Sequence, residues 1–247
     1  MKASDGHPVR LRFSKRGKVR FVSHRDVARA FERAFRMREL PLAFTLGFSP
    51  RPKVSFGLAL SVGHESIAEY LDVELRERVD PEALPSLLSA VLPEGLAVDG
   101  AALLAPRAPA LQEAVTLVEY RVTVVDGHDR VPAAELLEPA VERALACPEL
   151  LVTRTRKGRE STDDIRPAIR TIELGRDDQG SVALDLALST QSRGARPREV
   201  IDAVFGDALD LSEARVLRTA QWIERDGARL EPLEADVLAR ALEARAS

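Results

Sequence analysis

Apolar and polar residues alternate as the chain opens. Val9, Leu11 and Phe13 are interleaved with Arg10, Arg12 and Ser14, and a period of two predicts a half-buried strand. Lys15-Arg16-Gly17-Lys18 reads as a basic turn, after which Val19 and Phe21 resume the strand pattern. The period then changes. Ser23 supplies an N-cap, Asp26 stands three residues on, and Val27, Phe31, Ala34 and Phe35 recur at helical spacing, which predicts a helix ending near Arg38. Two prolines around Arg51 forbid helix or central strand there, so 47–53 reads as a stiff loop between extended segments. Leu71, Val73 and Leu75 alternate as a strand. Asp80-Pro81 opens a second helix with Leu84, Leu87, Leu88 and Val91 on its buried face. Leu96–Leu103 closes the set as a strand.

The same succession recurs beyond residue 115. Val118, Tyr120, Val122 and Val124 form a strand pattern, 132–146 a helix that contains Pro139, Leu151–Thr155 and Ile165–Leu174 extended chain, and Val182–Leu188 a clean alternation. Pro197 opens a helix through Val200, Ile201, Val204 and Phe205 that Gly206 ends, Val216–Ile223 reads as a last strand, and 232–245 as an amphipathic C-terminal helix. The expected fold class is α+β: two ferredoxin-like (β-α-β-β-α-β) halves in tandem, with a C-terminal helix. The expected divisions are a flexible tail over 1–8, a first half over 9–104, a Pro- and Ala-rich linker over 105–115, and a second half with the C-terminal helix over 116–247.

Charge changes this picture. The net formal charge of −3 hides a first segment, residues 1–60, with 14 Lys or Arg against 4 Asp or Glu. Residues 61–150 carry 6 against 17. Such asymmetry predicts an anionic partner for the first segment. Only 5 of the 36 basic residues are Lys, so high Arg use is general. That explains Arg in place of Lys but not the scarcity of acids in one segment.

The basic residues fall into local groups. Lys15, Arg16, Lys18 and Arg20 sit on the first turn and its exit. Arg25, Arg29 and Arg33 share a helix face, and Arg51 and Lys53 sit on the stiff loop. A guanidinium offers phosphate a planar fork of donors, and neutralised phosphates release counterions. Phe13, Phe21, Phe48 and Phe56 interleave with these charges; they fit a core, and some fit stacking on bases. A second group is Arg154, Arg156 and Lys157 at a hairpin tip. Arg193 and Arg196 precede a helix whose N-terminus also favours an anion. These thirteen positions, apart from Arg33 and the aromatics, are the candidate RNA or anion ligands. His24, at the first turn of a helix, is a surface or capping residue in the plain reading and a general acid–base group in the functional one.

Other chemistry is narrowed by what the sequence holds. Cys147 is the single cysteine, which excludes an intramolecular disulfide and a multi-cysteine zinc or iron–sulfur site built from this chain's own cysteines. Its apolar neighbours predict a buried structural thiol. The four histidines show no metal-ligand spacing. No apolar run approaches the roughly 20 residues of a membrane span, and MKASDGHPVR lacks the apolar stretch of a signal peptide, so a cytoplasmic location is expected. No Gly-rich P-loop is present.

Three long segments carry a family resemblance: LRFSKRGKVRFVSHRD (11–26), GFSPRPKVSFGLAL (47–60) and AEYLDVEL (68–75), joined by DIRPAI (164–169). They resemble the bacterial radical-SAM-linked protein family, a domain of unknown function also found fused to vitamin-B12-binding-type radical-SAM proteins. The resemblance implies a radical-SAM partner that carries an iron–sulfur cluster and S-adenosylmethionine, with no cofactor on this chain. The expected function is thus an RNA-binding, non-catalytic companion that presents tRNA or rRNA for modification. Two alternatives stand beside it. One is a metal-independent endoribonuclease using His24, since paired ferredoxin-like halves with a His before the first helix are similar in architecture to CRISPR repeat-processing endoribonucleases. The other is a protein-binding adaptor without nucleic acid.

Overall fold

The computed structural model describes residues 6–105, 108–156, 158–191, 194–206 and 208–235. It is a mixed α+β protein that divides into two compact units. The first comprises residues 1–115 together with the chain from Gln221 onward, and the second comprises Thr116–Ala220.

In the first unit the order is β1 (His7–Lys15), α1 (His24–Met37), β2 (Val54–Phe56), β3 (Glu65–Leu75), α2 (Leu84–Ser89), β4 (Leu96–Leu103) and a single turn α3 (Leu111–Ala114). β1 lies between β4 and β3, and β2 pairs with β3, all antiparallel. Period two holds along β1: Val9, Leu11 and Phe13 are buried and meet Val27, Phe31 and Phe35 of α1 in one core with Leu71, Val73, Leu75, Leu84, Leu88 and Leu96. α1 begins where the sequence predicts. Ser23 Oγ accepts from Asp26 N, and Val27, Phe31, Ala34 and Phe35 form its buried stripe. Fully burying each of the two Phe side chains on this stripe contributes about 1.5–3 kcal/mol.

Several expectations are corrected. Val19 and Phe21 do not resume a strand, because Gly17–Phe21 is a 3-10 turn. Gly17 has φ +70, its N–H donates to Glu65 Oε1 at 2.6 Å, and Lys15 Nζ draws in the carbonyls of Arg20 and Val22. The tail expected over 1–8 is shortened by β1, which begins at His7; residues 1–5 lie outside the described residues. The 105–115 stretch is no solvated linker, since Ala105, Leu111, Ala114 and Val115 are buried.

The second unit contains β5 (Leu117–Asp126), α4 (Ala134–Ala146), the hairpin β6 (Leu151–Arg156) and β7 (Arg159–Asp164), β8 (Ile169–Arg176), β9 (Val182–Ser189), α5 (Pro197–Phe205) and the start of β10 (Leu211–Arg225). The strand order is β10-β5-β9-β8, with β6–β7 a separate two-stranded sheet. Its core joins Val122, Val124, Leu137, Val141, Ile172, Leu184, Leu186, Ile201 and Phe205. α4 accommodates Pro139 within it.

The expected second domain over 116–247 is also corrected. β10 begins in the second unit, and its residues from Gln221 belong to the first. Gln221 Nε2 donates to Ala68 O of β3, and Tyr70 O–H donates to Glu231. An unbroken strand pattern across 216–223 gives no boundary signal in sequence. The C-terminal helix starts at 232, and its part from 236 onward lies outside the described residues.

Candidate functional site

The alternation that carries Val9, Leu11 and Phe13 into the core carries Lys15 with them. Lys15 is 4% exposed. Its Nζ donates to Arg20 O at 3.2 Å and Val22 O at 3.0 Å. Burial pushes its pKa below the usual lysine value, which the negative charge of Glu69 partly offsets. Lys15 is therefore corrected from an anion ligand to a brace of the turn that follows it.

His24 opens α1, and its ring stands edge-on to Phe56 with centroids 5.0 Å apart. Together with residues 54–59 and Gln112 it lines an open groove of about 530 Å³. Gln112 Nε2 donates to Phe56 O at 3.2 Å. Behind His24 lies a recess of about 20 Å³ bordered by Lys15, Phe56, Leu58 and Glu69, space for about one water. Sequence reading passed over Glu69. Its parity on β3, the same as Leu71, Val73 and Leu75, was the available signal.

Most of the first unit's expected cations reach solvent. Arg16, Lys18, Arg25, Arg29, Arg33 and Arg51 are exposed. Arg20 is half-buried, with its guanidinium 4.7 Å from the centre of the exposed Phe21 ring. Arg29 pairs with Asp26 at 3.0 Å. Asp26 also accepts from Ser23 Oγ at 2.7 Å, and that bond, ahead of Arg29, holds its carboxyl below the usual range. Lys53 departs from expectation: its Nζ donates to both carboxylate oxygens of Glu74 at 2.9 Å, so the charge is already matched. Of the interleaved phenylalanines, Phe13 is buried and Phe56 half-buried, while Phe21 and Phe48 are exposed.

The opposite face of the first sheet is internally paired. Arg10, 1% exposed, holds Asp72 through Nε at 2.7 Å and a second guanidinium nitrogen at 3.0 Å. Arg12 Nε donates to Asp99 at 2.6 Å, and its guanidinium lies 3.7 Å from Glu231. Burial, and then Glu231, push the Tyr70 phenol far above its ordinary pKa, so it is held as a donor.

In the second unit one expected anion ligand, Arg154, is matched within the protein, while Arg196 is exposed. Arg154 Nε and a terminal nitrogen grip the two oxygens of Glu199, each at 2.8 Å. A further bond reaches Asp163 at 3.3 Å, and another reaches Gly194 O at 3.0 Å. Arg154 is thereby corrected from phosphate ligand to internal clamp. Glu199 also accepts from Arg196 N at 2.9 Å, at the start of α5. Arg156 ends β6 opposite Arg159; Lys157 and Arg193 lie outside the described residues. Arg166, from the DIRPAI segment, donates to the carbonyls of Leu145, Cys147 and Ile169 at 2.8–3.2 Å, which closes the end of α4. Cys147 is exposed, not buried, because it stands one residue past the helix whose apolar stripe it extends in sequence.

Among the described residues, no group of three or more His, Cys, Asp or Glu is placed to hold a metal, and no helix is long and apolar enough to cross a membrane. Residues 9–197 match the model of a family described as an uncharacterized protein conserved in bacteria, DUF2344. The chain belongs to this family. No match is found among curated proteins. Among solved structures, the chain is similar to a chain of a Cbf5–Nop10–Gar1 complex at 12% identity and a TM-score of 0.47, covering 89% of this chain and 49% of that one. It is also similar to a chain of an H/ACA RNP bound to a substrate RNA containing 2′-deoxyuridine, at 12% identity, a TM-score of 0.42, and coverage of 94% and 49%. This DUF2344 chain thus spans about half the length of the chains it matches.

Proposed function

We propose that this protein binds RNA through the first unit and acts as a non-catalytic companion of a radical-SAM enzyme, presenting tRNA or rRNA for modification. The observation that carries the RNA reading is the exposure of Arg16, Lys18, Arg25, Arg29, Arg33 and Arg51 within a stretch that holds only Asp26, Glu32 and Glu39 as acids. A concentration of exposed guanidinium groups with few carboxylates is the electrostatic footprint of a phosphate-backbone ligand. The partner enzyme rests on the resemblance of 11–26, 47–60, 68–75 and 164–169, and it would supply the cluster and S-adenosylmethionine. We also read both units as ferredoxin-like, supported by the β-α-β-β-α-β order of the first, by the same order in the second once the separate β6–β7 hairpin is set aside, and by strand orders that place β1 between β4 and β3 and β5 between β10 and β9.

The test is binding of the purified full chain to tRNA and rRNA fragments across a salt series. The expected result is an affinity that falls linearly in log–log form, by about 0.7–0.9 per phosphate contacted. Absence of binding at 50 mM salt overturns the RNA reading. Metal-independent RNA cleavage that disappears in His24→Ala would move the chain to the endoribonuclease alternative. Capture of a radical-SAM enzyme from cells that survives RNase treatment, without bound RNA, would favour the adaptor.

A further inference from the structure

Seven of the eight phenylalanines lie between residues 13 and 56, the same stretch that concentrates the positive charge. Four of them have a packing role. Phe13, Phe31, Phe35 and Phe56 meet ring to ring at centroid distances of 4.8–6.3 Å. The other three do not share that role: Phe44 is 48%, Phe21 63% and Phe48 111% exposed, with Leu46 beside Phe48 fully exposed as well. Large apolar side chains held in solvent on a well-packed unit mark a contact surface.

The Phe21 ring has an arginine against it, and the Phe48 ring has one three residues on in the same loop. The Arg20 guanidinium stacks over Phe21 at 4.7 Å. Phe48 rides on a loop between Pro50-Arg51-Pro52 and the bridge of Phe44 to Pro52. That loop is closed by Thr45 N donating to Arg51 O at 2.9 Å and Arg51 N donating to Thr45 Oγ1 at 3.0 Å. A loop so braced holds its tip residues out at little further entropic cost. No Asp or Glu occurs between residues 40 and 64. Exposed rings on a stretch rich in arginine and poor in acids suit an anionic partner with flat apolar groups better than an apolar protein pocket.

We propose that Phe21 and Phe48 are stacking platforms for unpaired bases, so that the RNA this protein takes is single-stranded or looped rather than duplex. This rests on the RNA reading above and specifies its ligand. Bases in a duplex are stacked on each other and present no free face, whereas an unpaired base can lie on an aromatic ring while an adjacent arginine holds its phosphate. Exposed rings with an arginine next to them or in the same loop accept any base, so the preference is for strand state rather than sequence.

The test compares the full chain's affinity for a labelled single-stranded RNA oligonucleotide and for a duplex of equal length, in the wild type, Phe21→Ala, Phe48→Ala and Phe48→Trp. Both rings are exposed, so alanine removes no core contact. The wild type is expected to prefer the single strand. Each alanine should weaken single-strand binding by about 5- to 150-fold, leave duplex binding and the salt slope unchanged, and Phe48→Trp should retain wild-type affinity. Equal wild-type affinity for the two forms, or single-strand affinity unmoved by either alanine, overturns the platforms while the RNA reading stands. A protein partner lost with Phe48→Ala while RNA affinity stays constant assigns the tip to that protein and also overturns them. Failure of the wild type to bind either RNA removes the RNA reading itself and this inference with it.

Discussion

In the first unit Arg25, Arg29 and Arg33 stand exposed on one face of α1, whereas in the second Arg154 and Arg166 turn inward and spend their donors on the protein. The residue type is the same, and the surroundings decide its work. Where α5 offers Glu199 and β7 offers Asp163, a guanidinium clamps two elements together. Where α4 ends with bare carbonyls, another guanidinium caps them. Where a helix face offers Asp26 to Arg29 alone among the three, the side chains stay outward. Arginine number is therefore no measure of a binding face. What distinguishes one is arginine that the fold leaves exposed to solvent.

The sharpest break of this contrast is joint replacement of Arg25, Arg29 and Arg33 by Ala. RNA affinity should fall about 100-fold at moderate salt and the salt slope by about 2. The stability change should stay within about 0.5 kcal/mol per site, since these are surface positions. Unchanged slopes in a filter-binding salt series would remove the helix face from the interface. Arg154→Ala should do the converse. It takes the guanidinium away from Glu199 and Asp163 and should cost about 2–3 kcal/mol, seen as a lower urea midpoint at constant m-value, with RNA affinity unaltered. Arg154→Lys should recover only part of this, for a lysine cannot make the two-pronged contact.

Acid should separate the same two proteins. Burial tends to raise the Glu199 carboxyl, but the Arg154 and Arg196 N–H bonds outweigh it and hold its pKa below the ordinary glutamate value. A depressed folded pKa means the unfolded chain binds the proton first. The contribution is complete above the ordinary glutamate range, near pH 4.3, and is lost as pH falls through the folded value. Chemical denaturation between pH 6 and 3 should show this loss in the wild type and a shallower one in Arg154→Ala. The smallest effect belongs to Lys53→Ala, about 0.5 kcal/mol for its partly exposed pair with Glu74, again without change in RNA affinity.

The helix from Ser23 was legible because cap and stripe lie within one element, as was the strand closing at Leu103. Periodicity reports local burial, and local burial sets elements. The same logic reached Lys15 only in hindsight. Its parity pointed inward, but its charge argued for a turn, and its carbonyl partners appear only once residues 17–22 curl back. Partners separated by 21 residues, as for Lys53 and Glu74, or by 45, as for Arg154 and Glu199, leave no periodic trace. The candidate face was legible as an excess of charge. Which of its members are free to bind, and which phenylalanines stand outside the core, were tertiary facts.

A Cβ at Gly100 on β4 would come within 2.7 Å of Leu233 Cδ1, so the leucine packs where a side chain on β4 would stand. That contact, with Arg12 and Tyr70 reaching Glu231, joins residues of the first hundred to residues made more than a hundred positions later. During synthesis the ribosome completes all of Thr116–Ala220 before it releases the segment that finishes the earlier unit. The unit that begins first is thus completed last. A chain cut short before residue 228 would hold every residue of its second unit, while Arg12 and Tyr70 of its first would lack their carboxylate.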